Sequence, residues 1–355
     1  MKFVKIFLTI IFLSACSEPN KNDIGYLPDF VNKGCYILCE GLFGQNNSSL
    51  TLLDFETNQV INNYFFKKNN IKIGDTANDI LISGDTSFIV VSTNNKIIAF
   101  NTKTGLMIKE IISDKLKTPR KIVKLNDSLF AITNLKNNSV TFLNSNKLEI
   151  LDKVVVVGPA PEGIAVCDKH IFVANSGYGD YLSNQADAGT IYVIDKNTLS
   201  LITKFKNLPN VIQLEFNRVN NRLYARYNNL PSLKDSLGGI VEFDVDSLKE
   251  IRRWKLKVYY ITINSKANSI YYLNDYGIGK IELTNGSINN NFIKKQSSNE
   301  VWYSIISCQI DEKLYVTNAK NYQTLGELII FNPNDSIFIP IKYNVGLNPN
   351  IVVFF

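Results

Sequence analysis

Pro161-Glu-Gly-Ile-Ala-Val-Cys-Asp-Lys-His-Ile-Phe-Val-Ala-Asn-Ser-Gly177 opens a unit that runs to Phe205. A long polar loop follows, then Thr190-Ile-Tyr-Val-Ile-Asp195, a Lys-Asn-Thr turn, and Leu199-Ser-Leu-Ile-Thr-Lys-Phe205. Each apolar run is short, rich in β-branched or aromatic residues, and bounded by Gly, Asn, Asp or Ser. That pattern predicts four strands in a meander. None of the runs has the length or the 3.6-residue period of a helix.

The unit recurs along the chain. Its first strand has counterparts at 78–83, 120–124, 211–216, 260–264, 303–308 and 350–355. The second recurs at 35–40, 87–92, 129–133, 222–227, 269–273 and 313–317, and the third at 49–55, 96–101, 139–144, 239–244, 279–283 and 327–332. Third strands end at Asp54, Asn101, Asn144, Asp195, Asp244, Glu282 and Asn332, in steps of 47, 43, 51, 49, 38 and 50 residues. An all-β repeat of that period predicts a seven-bladed β-propeller of four-stranded antiparallel blades. One strand alone precedes the first third-strand, and the chain ends on a bare first strand, Asn348-Pro-Asn-Ile-Val-Val-Phe-Phe355. The C-terminal strand is therefore expected to complete the first blade and close the ring, which removes the open sheet edge.

Before the repeats, residues 1–16 read as a basic start, an apolar run Ile6–Leu13, and Leu13-Ser-Ala-Cys16. This is the form of an export signal too short to span a bilayer permanently. Cys after Leu-Ser-Ala resembles a bacterial lipobox, which implies cleavage after residue 15 and lipidation of Cys16. Residues 16–32 would then be lipidated Cys and tether, and 33–355 the propeller. Ser17 stands where an inner-membrane retention Asp would be, so an outer-membrane, surface-exposed lipoprotein is expected.

Composition narrows the chemistry. The net charge is +6, from 38 Lys and Arg against 32 Asp and Glu, and it is spread without a basic block, so nucleic acid is not an expected partner. His170 is the only histidine. One histidine allows no Cys/His metal set, and any Ser-His-Asp triad would have to use His170. Two tryptophans, Trp254 and Trp302, give little support to a quinone-cofactor propeller, and there is no Gly-rich phosphate loop. No cofactor is expected; the alternative is a Ca²⁺ held by carboxylates and carbonyls over the channel. Asp75, Asp79, Glu162 and Glu300 lie near inner-strand starts, where each reads first as a solvated loop acid. Four cysteines remain after Cys16. Cys35 and Cys39 lie roughly 13 Å apart along one strand, beyond bridging distance. Buried free thiols are the favoured reading for Cys35, Cys39, Cys167 and Cys308, with a cross-blade pair left open.

Loop lengths separate the two ends of the ring. Turns between first and second strands, and between third and fourth, are minimal, as at Gly84-Asp-Thr86, Asn126-Asp127 and Lys103-Thr-Gly105. Those on the other face are long and rich in aromatics and Asn: 41–48, 177–184, 228–235 and 319–323, with Tyr259, Tyr260, Trp302 and Tyr303 in blade-to-blade connections. Variable loops on a rigid scaffold are where binding is built. The expected ligand face comprises Phe43, Gln45, Asn46, Tyr178, Asp180, Tyr181, Asn228, Tyr259, Trp302, Tyr303, Lys320 and Tyr322. Tyr260 and Trp302 read equally well as caps on the core.

Tyr315-Val-Thr-Asn318 is the tetrad that names the YVTN β-propeller family, and Phe172-Val-Ala-Asn175 is a variant of it. Ile37-Leu-Cys-Glu-Gly-Leu-Phe-Gly44, Ala174-Asn-Ser-Gly-Tyr-Gly179 and Tyr315–Tyr322 resemble exported YncE-like propeller lipoproteins. That group includes surface proteins that capture cobalamin beside a TonB-dependent transporter. The resemblance covers nearly all of 33–355 and implies a non-catalytic role, a corrinoid as small-molecule ligand, and an outer-membrane TonB-dependent transporter as partner. Cys35, Cys39 and the short loops of the second and sixth blades depart from it. Two other readings stay open: a protein- or glycan-binding envelope scaffold, and a metal-dependent lactonase-like hydrolase, which needs inward acids converging on one ion.

Overall fold

The computed structural model describes residues 27–233 and 237–355. The expected leader, Cys16 and most of the tether lie outside the described residues, as do 234–236 of one long loop. Seven four-stranded antiparallel sheets form a closed ring. The inner strands are Pro349–Phe354, Ala77–Ser83, Pro119–Lys124, Pro161–Val166, Val211–Asn217, Tyr260–Ile263 and Trp302–Ser307, for blades one to seven.

The seam falls where the sequence placed it. The last strand pairs antiparallel with Gly34–Cys39, with Tyr36 opposite Val353 and Leu38 opposite Ile351. Gly34 and Phe355 exchange both backbone hydrogen bonds at 3.0 Å. Gly34–Cys39 is thereby paired on both sides, and the blade closes from both ends of the chain.

Seven apolar cores lie between blades rather than within them. In blade two, Ile89 and Val91 pack toward blade one, while Phe88 and Val90 pack toward blade three. The same division repeats round the ring, down to a core shared by Cys35 and Ile37 of blade one and Tyr315 and Leu328 of blade seven. Alternate side chains of a strand point to opposite faces. With both faces covered, the middle strands read as unbroken apolar runs such as Phe88-Ile-Val-Val91.

The minimal turns have a repeated chemical cause. Asp54, Asn101, Asn144, Asp195 and Asp244 each end a third strand and accept backbone N–H groups two and three residues on, at 2.7–3.4 Å. A short side chain with an acceptor oxygen closes such a turn locally.

One element was not foreseen. Tyr64–Asn69 form a six-residue helix between blades one and two, after an outer strand of two residues, Val60–Ile61. Tyr64 and Phe65 bury beneath it, with Phe65 edge-on to Phe100 at 5.8 Å. Gly105 makes room: a Cβ there would lie 2.5 Å from the Tyr64 ring. A single helical turn and a half is too short to show a period.

Candidate functional site

The long-loop face carries two adjoining cavities, of about 900 and 770 Å³, which share Arg120 in their walls. The second sits at the mouth of the central channel and is built by a repeated irregularity. In six blades the inner strand slips register against its neighbour at the long-loop end. The slip leaves Asn350, Asn78, Arg120 with Lys121, Glu162 with Gly163, Ile212 and Tyr303 without ladder partners. All of these except Gly163 line the mouth. A bulge re-aims side chains in this way. In five blades the residue just before the inner strand is left-handed: Thr76 (φ 57), Thr118 (φ 53), Ala160 (φ 51), Asn210 (φ 51) and Asn348 (φ 53). Thr and Ala pay for that conformation, and such strain concentrates at functional sites.

The mouth is charged and paired. Arg120 Nε donates to Glu162 Oε2 at 2.7 Å, and Lys121 lies 3.5 Å from Asp79. Asp79 also accepts the Ile122 N–H at 2.8 Å. Asn78, with its amide oxygen toward Arg120, accepts from Nη1 at 2.9 Å. Glu40 accepts from Asn350 at 2.6 Å and from the Tyr303 hydroxyl at 3.1 Å. Burial pushes the Glu40 and Asp79 carboxyls up, with Arg120 and Lys121 respectively pulling them back. Deeper in the channel, burial raises Glu215 to about 8, against hydrogen bonds from Gln213 and the Ile263 backbone. These residues were not foreseen, except Asp79, Glu162 and Tyr303. Asp79 and Glu162 are not solvated loop acids: bulged or flanking positions of inner strands turn them into the channel, where cations hold them. Asp75 is buried too, bonded to Thr76 at 2.7 Å, and Glu300 is held by Lys342 at 3.1 Å. Among the described residues, no three His, Cys, Asp or Glu groups converge as a metal set.

The larger cavity is aromatic and carries no carboxylate in its walls. Phe43, Tyr178, Tyr181 and Leu182 line it with Lys117, Lys136 and Arg120. Phe43 is 82% exposed and Tyr181 79%, and Tyr178 meets Tyr181 edge-on at 6.3 Å. Asn228, Tyr259, Trp302, Tyr303 and Tyr322 line the channel mouth instead. Tyr303 and Tyr322 are edge-on at 5.9 Å. Trp302 is 5% exposed and packs on Phe331, so most of its ring belongs to the core between blades six and seven. Tyr260 is half-buried and lines the mouth.

The remaining expected residues sit apart. Asn46 lines a separate small hollow beside Phe66. Asp180 accepts from the Ser232 N–H and hydroxyl at 2.8 and 2.7 Å, clasping two long loops together. Lys320 pairs with Glu327 at 3.2 Å, and Gln45 lines neither large cavity. On the opposite face there is a polar hollow of about 140 Å³ around Lys266, Lys280 and Glu312. His170 lies at the short-turn end of its strand, opposite Asp195, buried and edge-on to Phe172. Cys35, Cys39, Cys167 and Cys308 are buried free thiols.

Fold and face together define a closed seven-bladed β-propeller with a large two-part cleft over one end of its channel. The chain matches, over residues 33–215, the family described as a domain of unknown function, DUF5074, and belongs to it. Solved structures share the architecture at low identity. A quinonprotein alcohol dehydrogenase-like protein from Bacteroides thetaiotaomicron superposes with a TM-score of 0.70 at 14% identity, over 92% of this chain and 79% of that one. Proteins provisionally assigned as 6-phosphogluconolactonases, from Bacteroides fragilis and Bacteroides uniformis, superpose at 0.64 and 0.63. Their identities are 14% and 12%; they cover 95% and 92% of this chain, and all of their own length aligns. At these identities the likeness is one of fold. No curated protein matches the chain.

Proposed function

We propose that this protein is a non-catalytic ligand-capture propeller of the cell envelope, and that its ligand is cobalamin or a related corrinoid. The observation that carries the reading is the pair of adjoining cavities, of about 900 and 770 Å³, which hold eight of the twelve residues expected from the loops. Pockets for drug-sized ligands occupy about 300–1,000 Å³, so the joined cleft suits a larger, partly planar molecule. Phe43, Tyr178 and Tyr181 offer apolar area to a macrocycle, and Asn228 and Asn350 offer amides to its polar rim. The carboxylates at the channel mouth are engaged by cations or amides, and the single histidine is at the far end of the ring, which favours capture over turnover. Lipidation at Cys16, a place at the outer-membrane surface and delivery to a TonB-dependent transporter complete the proposal; they rest on the leader sequence and the YncE-like resemblance. Calorimetric titration of residues 27–355 with cyanocobalamin tests the ligand. Tight one-to-one binding is expected; no heat of binding would leave a protein- or glycan-binding scaffold as the better reading. For the anchor, Cys16→Ala is expected to abolish palmitate labelling and release the protein from membranes.

A further inference from the structure

Arg226 is the anomaly of the channel mouth. It is 7% exposed, yet it pairs with no carboxylate among the described residues. Its Nε donates to Gln213 Oε1 and its Nη1 to Asn228 Oδ1, both at 3.1 Å. Nη2 donates to no described protein atom, although the side chain lines the cavity. A guanidinium has five N–H donors in a planar fork, so most of this one is unspent. A buried charge without a partner is costly, and proteins normally pair it.

The acids that line the same cavity are committed elsewhere. Glu162 is held by Arg120, Glu40 by Asn350 and Tyr303, Glu300 by Lys342, and Asp275 by Lys257 and Tyr259. Glu215, below them, meets the Gln213 amide at 2.9 Å rather than the guanidinium, and its raised titration leaves it largely protonated at neutral pH. Gln213 is thus a spacer between them, its amide fixed by the Ile261 N–H and C=O at 3.1 and 2.9 Å. Two further donors face the cavity unspent: the Tyr260 hydroxyl and Asn228 Nδ2 make no hydrogen bond to the described protein. Lys295, in the same wall, forms no ion pair among the described residues. The adjoining cavity adds Lys117 and Lys136 and no acid.

We propose that Arg226 is the anchor of an oxyanion subsite, which takes a carboxylate or phosphate group of the ligand at the channel mouth. The planar fork suits two oxygens of one group, and charge-assisted bonds of this kind are the strong ones. The Tyr260 hydroxyl and Asn228 amide supply neutral donors beside it. The site rests on the reading of this face as a ligand site, but not on the ligand being a corrinoid.

The test uses inorganic phosphate and succinate as separate probes, with binding followed by thermal shift and calorimetry on the full-length protein. At least one probe is expected to raise the melting temperature of the wild type; which one does so separates a phosphate-bearing from a carboxylate-bearing ligand. Arg226→Gln should lose that binding by about tenfold or more, as the loss of charge-assisted hydrogen bonds implies. Without any probe it should melt no lower than the wild type, because the unpaired buried charge is gone; a purely structural arginine would give a lower melting point and unchanged binding. Asn228→Asp is the second variant. It sets an internal carboxylate against the guanidinium and should block the probes while the protein stays folded. If neither anion affects the wild type, or if binding survives both substitutions, the subsite is refuted. Phosphate or succinate binding without cyanocobalamin binding would sustain the subsite and sink the corrinoid reading, and the converse result would do the opposite.

Discussion

The aromatic cleft and the channel mouth adjoin, share Arg120, and are made in opposite ways. The cleft is assembled from loops: Phe43, Tyr178 and Tyr181 project from segments whose length and composition set them apart. The mouth is assembled from strands, by register slips that turn Asn78, Lys121, Glu162 and Tyr303 out of the ladder. The cleft presents exposed rings and no carboxylate; the mouth holds paired charges and is dense with hydrogen bonds. Loops give contact area that varies at little cost to the scaffold, whereas bulged strands hold charges rigidly where displacement would break the ring.

The largest expected effect comes from removing what supports both. Deleting Pro349–Phe355 takes away the inner strand of blade one, the Asn350–Glu40 bond and the packing of Ile351 and Val352 between neighbours. Lost burial and ladder bonds together are worth several kcal/mol, so the melting temperature should fall by about 10 °C or more, or the protein should not fold. Thermal unfolding by circular dichroism reads this directly; melting within a degree of the intact protein would contradict closure by this strand.

The second effect should belong to the mouth alone. Glu215 is raised from 4.5 to about 8, so between those values the folded protein binds a proton that the unfolded chain releases. Stability should therefore fall as pH rises from about 4.5 to 8, by on the order of 5 kcal/mol for this group. Glu215→Gln should flatten that slope and stabilise the protein at pH 8, leaving the aromatic cleft unaffected. Denaturant unfolding across the range measures it; an unaltered slope would mean that Glu215 does not govern it.

The third and smallest effects on the fold are binding effects. Tyr178→Ala removes a ring from the cleft, and Tyr322→Ala removes one from the mouth. Each should cost on the order of 2 kcal/mol if it is a hot spot, about thirtyfold in affinity, with little change in melting temperature. Equal losses in calorimetry would show a ligand spanning both cavities. A loss from only one would confine the ligand to that half, and full cobalamin affinity in the double variant would move the site off this face.

The same contrast explains what could be read from residues alone. The second and third strands were legible because each buries both faces, and third-strand ends were legible because Asp54, Asn101 and their counterparts close turns by a local bond. Phe43, Tyr178 and Tyr181 were legible as aromatics stranded in polar loops. Lys121, Gln213 and Arg226 were not, since a bulge is a property of two paired strands, and a charge inside one strand gives no sign of where it points. One trace did exist. Aligning the seven units places Asn350, Asn78, Arg120, Glu162, Gln213 and Tyr303 within two residues of six of the inner-strand starts, a ring of polar or amphipathic residues. The helix Tyr64–Asn69 left no comparable trace, because its two buried rings fit a strand as well as a helix.

The Gly34–Phe355 pairing also makes the ring topologically indifferent to where the chain is cut. What separates the two residues is the one first-to-second-strand turn that blade one lacks, on the short-turn face. A two-residue Asn-Gly turn of the kind that joins antiparallel strands could bridge them, and the backbone could then be opened at Asn126-Asp127, far from both cavities. Such a circular permutant should fold to the same seven blades and keep the same ligand. Its new ends would lie on the short-turn face, which would allow a tag or a tether to be attached there without approaching the cleft.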